Sequence, residues 1–102
     1  MIRGTTVPLV FDLDETLDTS TIQAGSLVLK IRQLDMELEK SGEDLTLNDH
    51  AITVQLTQEE SLKLTVGTAE AQANWLYTNG TRDASDVGYF EVERQLLERV
   101  IP

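Results

Sequence analysis

Two aspartates one residue apart, Asp12 and Asp14, follow an apolar run and are the residues of this chain with the clearest chemical potential. The stretch reads VFDLDETLD over residues 10–18. In an aspartyl-phosphate mechanism Asp12 would attack phosphorus, Asp14 would act as general acid and base, and Mg²⁺ would lie between carboxylate and phosphate. The spacing therefore raises Mg²⁺-dependent phosphoryl transfer as a first hypothesis.

The same stretch resembles motif I of the haloacid dehalogenase superfamily, in the DLDET form of its protein phosphatases. WLYTNG at 75–80 resembles motif II, an apolar strand that ends in a phosphate-binding Thr, here Thr78. Membership implies a doubly wound parallel sheet, with a Lys and then an acidic pair far beyond motif II. The substitutes available here, Arg82, Asp83 and Asp86, lie within eight residues of that Thr, too close for an intervening strand and crossover.

The acidic side chains of this stretch also allow a cation-binding hypothesis, a Ca²⁺-binding β-domain with oxygen ligands. The ligands would be Asp12, Asp14, Glu15 and Asp18. The stretch has no glycine at its bend and does not follow EF-hand spacing. Other metal or catalytic groupings lack members, because His50 is the only histidine and cysteine is absent.

A structural interpretation needs no chemistry, because the stretch also fits a β-strand that runs into a solvated turn. The apolar side chains would then face the core and the acidic ones would face solvent. The inward set is Leu9, Phe11 and Leu13, the outward set is Asp12 and Asp14, and residues 15–18 form the turn. Burial of Asp12 beside Asp14 and Thr78 in one pocket would contradict this. We favour this interpretation, which predicts no catalytic, cofactor-binding or metal-binding residue.

Alternation of apolar and polar residues with a period of two runs through the chain and predicts β-strands. The expected strands include residues 7–13, 27–31, 36–38, 52–56, 69–77 and 87–92, separated by turn-rich segments at 41–44 and 47–50 and a turn at Asn79–Gly80. Trp75 is expected to anchor the core. A change of phase between Tyr89 and Phe90, next to Gly88, predicts a β-bulge. The pattern is typical of an all-β antiparallel sandwich.

Helical signals are few and short. The segment TQEE at 57–60 is a capping box in which the Thr57 hydroxyl and the Glu60 carboxylate satisfy each other's backbone amides. It predicts one or two helical turns. Residues 18–22 predict another short turn with Thr19 or Ser20 as its cap.

Composition and charge favour a single packed domain over residues 1–102. The chain is 40% hydrophobic and 25% charged, which is ordinary globular usage. Its net charge of -10 would repel nucleic acid and anionic membranes, so neither is expected as a partner. Residues 1–6 lack the apolar core of a signal peptide, which favours a cytoplasmic origin.

A second resemblance covers nearly the whole chain. MIRGTT at 1–6 and ITVQLTQEESL at 52–62 resemble segments of a group of small proteins encoded in prophages of Gram-positive bacteria. The resemblance continues in the spacing of FDL to DTSTI, and in TNGT followed by ASD. That group is similar in layout to the immunoglobulin-like N-terminal domain of phage baseplate upper proteins.

The resemblance implies an immunoglobulin-like β-sandwich that acts as a virion component or assembly factor near the tail or baseplate. It implies no enzymatic activity, no cofactor, and a location in the host cytoplasm during assembly and then in the virion. The expected partners are other phage structural proteins, with a homo-oligomer also open. The candidate contacts are an exposed strand edge and the apolar residues of 96–102. Residues 94–102 would form a flexible or docking tail, or pack on their own domain. A helix over 91–101 is the alternative for that segment.

Overall fold

The computed structural model describes residues 1–102, and most of its regular structure is β-strand. The strands are β1 (Leu9–Asp12), β2 (Val28–Gln33), β3 (Met36–Ser41), β4 (Leu45–Asn48), β5 (Ala51–Val54), β6 (Gly67–Leu76), β7 (Arg82–Ala84) and β8 (Gly88–Val92). One short helix, α1 (Gln58–Leu62), and two 3-10 turns at Thr19–Thr21 and Gly42–Asp44 complete the elements.

The strands form two antiparallel sheets. One has three strands in the order β1-β5-β4, and the other has the order β3-β2-β6, with β7 and β8 both paired to the far side of β6. Every pairing between named strands is antiparallel. The predicted all-β sandwich architecture is confirmed. This is not the doubly wound parallel sheet that the phosphatase hypothesis requires.

The core lies between the two sheets and follows the period of two. The five-stranded sheet contributes alternate residues of β6, which are three alanines and Trp75, together with Leu29 and Ile31 of β2. Ile52 and Val54 of β5 face them from the three-stranded sheet. Trp75 is only 3% exposed, which confirms its predicted place in the core. The small alanines leave room on one sheet for larger side chains from the other.

The predicted β-bulge exists, but it lies earlier than predicted. Asn74 of β6 pairs with Ala84, and Ala71 pairs with Gly88, so three residues (85–87) oppose two on β6. This count of one extra residue is the definition of a bulge. The register inside β8 is unbroken, so the predicted position between Tyr89 and Phe90 is wrong. β7 and β8 thus act as one edge strand with an interruption.

One strand, β4, was not predicted from the sequence. β4 occupies Leu45–Asn48, where the sequence predicted a turn-rich segment over 47–50. The turn itself is confined to Asp49 and His50, and Asp49 adopts a left-handed φ of 57°. Four alternating residues between two turns are too few to predict a strand from their period. The segment is a strand because it pairs with β5.

The short helical elements agree with the sequence except in one cap. The Glu60 amide donates to the Thr57 hydroxyl at 3.1 Å, and the Thr57 amide donates to the Glu60 carboxylate at 3.0 Å, which confirms the capping box. The turn at Thr19–Thr21 is also confirmed, but its cap is Asp18, whose carboxylate accepts from the Ser20 amide. The prediction of Thr19 or Ser20 was therefore wrong by one or two residues. The tail after β8 forms no helix.

The molecule is elongated, with extents of 46 × 26 × 22 Å, and its two ends differ. We call one the acidic end; it contains the 13–22 loop, the β4–β5 turn and the β6–β7 connection. At this end the Thr78 amide donates to the Thr21 carbonyl at 2.8 Å. We call the other the tail end; it contains α1, residues 1–4, the α1–β6 connection and residues 93–102. The Glu93 amide donates to Met1 there at 2.6 Å.

Candidate functional site

The acidic stretch has the orientation that the structural interpretation predicts. Leu13 is buried, and Leu9 and Phe11 are half-buried against the core. Asp12 and Asp14 are exposed. The alternation of β1 and the residue after it is therefore that of a half-buried strand.

The residues of the two phosphatase-like motifs do not meet in one pocket. Thr78 is exposed, and its amide is engaged with the Thr21 carbonyl. An open cleft of about 700 Å³ is lined by Asp12 and Asp14, but Thr78 is not part of its lining. The arrangement that would have contradicted the structural interpretation is not the one observed.

The acidic side chains of the 13–18 loop stabilise their own turns. The backbone amide and the hydroxyl of Thr16 donate to Asp14 at 2.9 and 2.8 Å, and these bonds lower the pKa of Asp14. Asp18 accepts from the Ser20 amide and hydroxyl in the same way. No group of three or more His, Cys, Asp or Glu side chains is arranged to hold a metal ion.

The cleft at the acidic end concentrates negative charge. Asp12 and Asp14 lie on one wall, and Asp83 and Asp86 lie on the other. The hydroxyl of Tyr77 donates to Asp83 and lowers the pKa of that carboxyl. This end of the molecule therefore repels anions, phosphate esters among them.

The outer face of the five-stranded sheet is covered by ion pairs. Lys30 on β2 lies 3.1 Å from Glu37 and 3.6 Å from Glu39, both on the edge strand β3. Arg32 lies 2.6 Å from Glu70 on the other side. Charged side chains along an edge strand oppose the addition of a further strand, so this edge is protected against association.

Arg3 ties three segments together at the tail end. Its guanidinium donates to the carbonyl of Leu62 at 2.6 Å and to the carbonyl of Leu64, at the point where α1 ends. It also lies 3.3 Å from Glu98 in the tail. The last carbonyls of a helix have no partner within the helix, and a cation there satisfies them.

The tail is held by polar contacts at Glu98 and Ile101, and not by its apolar side chains. The Gln58 side chain donates to the Ile101 carbonyl at 3.0 Å and accepts from the Ile101 amide at 2.8 Å. Leu96 is nevertheless 87% exposed and Ile101 59% exposed. Of the two outcomes predicted for the tail, packing on its own domain therefore describes the main chain, and the aliphatic side chains remain outside.

Val10, Leu76 and Val87 are exposed elsewhere, and Val7 lies between residues 1–4 and β1, but most of the exposed large aliphatic side chains lie at the tail end. We call them the apolar surface: Ile2, Val66, Leu96, Leu97, Val100 and Ile101. Leu34, in the β2–β3 hairpin, belongs to the same end, because neighbouring Gln33 donates to the Thr65 carbonyl at 2.7 Å. Sequence analysis identified only the members within the tail. Ile2 and Val66 carry no periodic signal, and Leu34 lies between the predicted strands 27–31 and 36–38.

Both the exposure and the backbone conformation of Leu34 are unfavourable for a leucine. It is 84% exposed and adopts a φ of 53°, in the left-handed region that bulky side chains avoid. The two-residue turn between Gln33 and Met36 requires a positive φ at its first residue, and it leaves the Leu34 side chain in solvent.

The charges at the tail end are balanced, unlike those elsewhere. Lys63, Arg94 and Arg99 are exposed and form no ion pair within the chain. Glu59 and Glu93, close to them in sequence, are also exposed and unpaired. Cations and carboxylates thus remain available around the apolar surface.

Comparisons with known proteins add no family. No family model, curated protein or solved structure matches this chain. The immunoglobulin-like relationship and the resemblance to prophage proteins therefore remain predictions from sequence. No helix of the structure is both long and apolar enough to cross a membrane.

Proposed function

We propose that this protein is a non-enzymatic phage structural or adaptor protein that acts by association through its tail end. The observation that carries the proposal is the apolar surface, six large aliphatic side chains exposed on segments that hydrogen bonds anchor at Arg3 and Ile101. Single exposed aliphatic residues need no explanation, whereas a group of them at one end of a molecule is typical of an interaction site.

Covering the apolar surface would release free energy, because its side chains are still exposed to water. Burying one such side chain contributes about 1.5–3 kcal/mol, so covering several exceeds the cost of ordering a few side chains at an interface. The acidic end and the outer face of the five-stranded sheet offer no comparable gain, since charged groups dominate both. The tail end is therefore the favoured place for a partner.

The phage assignment is supported by the ordered resemblance to small prophage proteins at residues 1–6 and 52–62. The charge of -10 favours protein partners over nucleic acid or an anionic membrane. Other tail or baseplate proteins are the partners this proposal names.

Particle composition tests the phage assignment. The source bacterium is induced, particles are purified on a density gradient, and their peptides are identified by mass spectrometry. We expect this protein at a stoichiometry comparable to other tail components, and portal, tail-tube and holin genes beside its gene. A protein absent from the particles, with its gene among metabolic genes, would contradict the assignment.

Hydrolysis of p-nitrophenyl phosphate in Mg²⁺ tests the enzymatic alternative. We expect the protein and its Asp12→Asn variant to show the same background rate, because Asp12 faces solvent and Thr78 lies outside the cleft it lines. The exposed Asp49→Asn is the control for loss of one surface carboxylate. A Mg²⁺-dependent rate that Asp12→Asn abolishes and Asp49→Asn preserves would restore the phosphatase hypothesis.

A further inference from the structure

We infer that a second copy of this chain covers the apolar surface, related by a two-fold axis, so that the protein is a dimer joined tail end to tail end. The inference rests on the proposed function, since it names the partner of the same surface. A two-fold interface places one patch against itself, so the patch must be complementary to itself in both shape and charge.

Charge is the first argument for a second copy. A chain of net charge -10 repels its own copies over most of its surface. The tail end is the exception, because unpaired cations and unpaired carboxylates lie around the same apolar residues. Lys63, Arg94 and Arg99 of one copy can face Glu59 and Glu93 of the other. The patch therefore has the charge balance that self-association requires.

The distance between the acidic ends is the second argument for the tail-to-tail dimer. In a tail-to-tail dimer the two acidic ends point away from each other, and the ten residues of β6, from Gly67 at the tail end to Leu76 at the acidic end, span about 33 Å. That separation greatly exceeds the Debye length of about 8 Å at physiological ionic strength. Their mutual repulsion is therefore screened.

Head-to-tail stacking would instead place the apolar surface on the acidic end. The large hydrophobic side chains exposed near that end are Leu76 and Val87, at 38% and 40%. The aliphatic residues of the tail would then lie mostly against carboxylates, with no matching apolar area. Apolar side chains gain most when they meet others of their kind, which favours the two-fold arrangement.

Leu34 extends the surface and provides a second observation. The hairpin that holds it is joined to the α1–β6 connection by the Gln33 side chain, which donates to Thr65 and accepts from the Thr65 amide at 2.7 Å. Val66 follows directly. A leucine in a strained and exposed turn gains burial when a second copy covers this end.

Sedimentation equilibrium on the full chain, over micromolar to millimolar concentrations, tests the inference. The expected mass at the upper end is twice the 11.4 kDa of one chain. Leu96→Ser with Ile101→Ser removes two exposed side chains without touching the backbone bonds to Gln58. Each substitution occurs in both copies of the dimer, so four side chains leave the interface, and we expect the dissociation constant to rise about tenfold for each of the four.

The matched control replaces two valines outside the tail end by Ser: Val10, on the exposed face of β1, and Val87, beside the acidic cleft. This pair should leave the dissociation constant unchanged. Circular dichroism should be the same for all variants, since each position is exposed. Arg94→Glu with Arg99→Glu should also weaken the dimer, because it replaces attraction across the two-fold axis by repulsion.

Three results would overturn the inference: a monomer throughout, a dimer equally weakened by the control pair, or growth beyond the dimer with concentration. A chain that is monomeric yet found in particles would reject the dimer and leave the phage assignment in place. A dimer that the tail variants dissociate, in a protein absent from particles, would keep the dimer and reject the phage assignment.

Discussion

At the scale of single residues, the least replaceable charge is the one on Lys40. Its Nζ lies 2.6 Å from Glu60 Oε1, and Lys40 is buried. Burial of Glu60 alone raises its pKa, but hydrogen bonds from Lys40 and Thr57 outweigh this and lower the pKa of Glu60. One carboxylate thus both completes the capping box of α1 and neutralises a buried ammonium.

Glu60→Gln should lower the free energy of unfolding by about 3 kcal/mol, because it leaves the Lys40 ammonium buried without a counter-charge. Glutamine keeps the capping box, so helix capping alone does not account for the loss. Urea denaturation at neutral pH measures it. The adjacent exposed Glu59→Gln is the control and should change little. Equal effects of the two substitutions would contradict a buried ion pair.

Gly4 is a second position where the backbone favours one residue type, glycine. Its φ is +83°, and an added Cβ would lie 2.9 Å from Leu62 Cδ2. Gly4→Ala should therefore destabilise the fold by about 1–2 kcal/mol through left-handed strain, plus the displacement of Leu62. Gly25→Ala is the control, because Gly25 has a φ of +78° and open space around it. Thermal unfolding should show a larger loss for Gly4→Ala, and equal losses would rule out the clash.

At the scale of elements, the pairing of β6 with β7 and β8 depends on the side chain of Ser85. Between β7 and β8 the main-chain ladder is interrupted, and Ser85 bridges it. Its amide donates to the Ala73 carbonyl at 2.9 Å, and its hydroxyl accepts from the Ala73 amide at 3.0 Å. The hydroxyl replaces a backbone carbonyl that the extra residue has displaced.

Ser85→Ala should cost about 1–2 kcal/mol, because the Ala73 amide loses its acceptor within the sheet. Amide hydrogen exchange should show faster exchange at Ala73 and little change at Ala71, which lies opposite Gly88. Ser20→Ala in the exposed Thr19–Thr21 turn is the control for loss of a serine hydroxyl. Unchanged protection at Ala73 would show that the hydroxyl is not part of the ladder.

The elements also show how much the sequence determines. β6 alternates inward alanines and Trp75 with outward polar residues over ten positions, and the capping box at Thr57 and Glu60 is local, so both could be predicted. β4 is short and owes its strand state to β5, and the bulge depends on register against β6. Neither can be located without the partner strand. The tail was identified from its composition, but Leu34 joined it only through the fold.

At the scale of the whole molecule, negative charge and apolar exposure lie at opposite ends of β6. The acidic end repels anionic polymers, and the tail end presents aliphatic side chains with balanced charge. The proposed dimer depends on this polarity, since association at the tail end would leave the acidic ends apart. VFDLDETLD contributes a core-facing strand edge and part of the negative end, with no phosphate site built around it.

A dilution series followed by amide chemical shifts tests this polarity most directly. We predict concentration-dependent shifts at Leu34, Val66 and residues 94–101, with residues 12–18 and 83–86 unchanged. The account would be contradicted by shifts centred on the acidic end, or by spectra identical at every concentration.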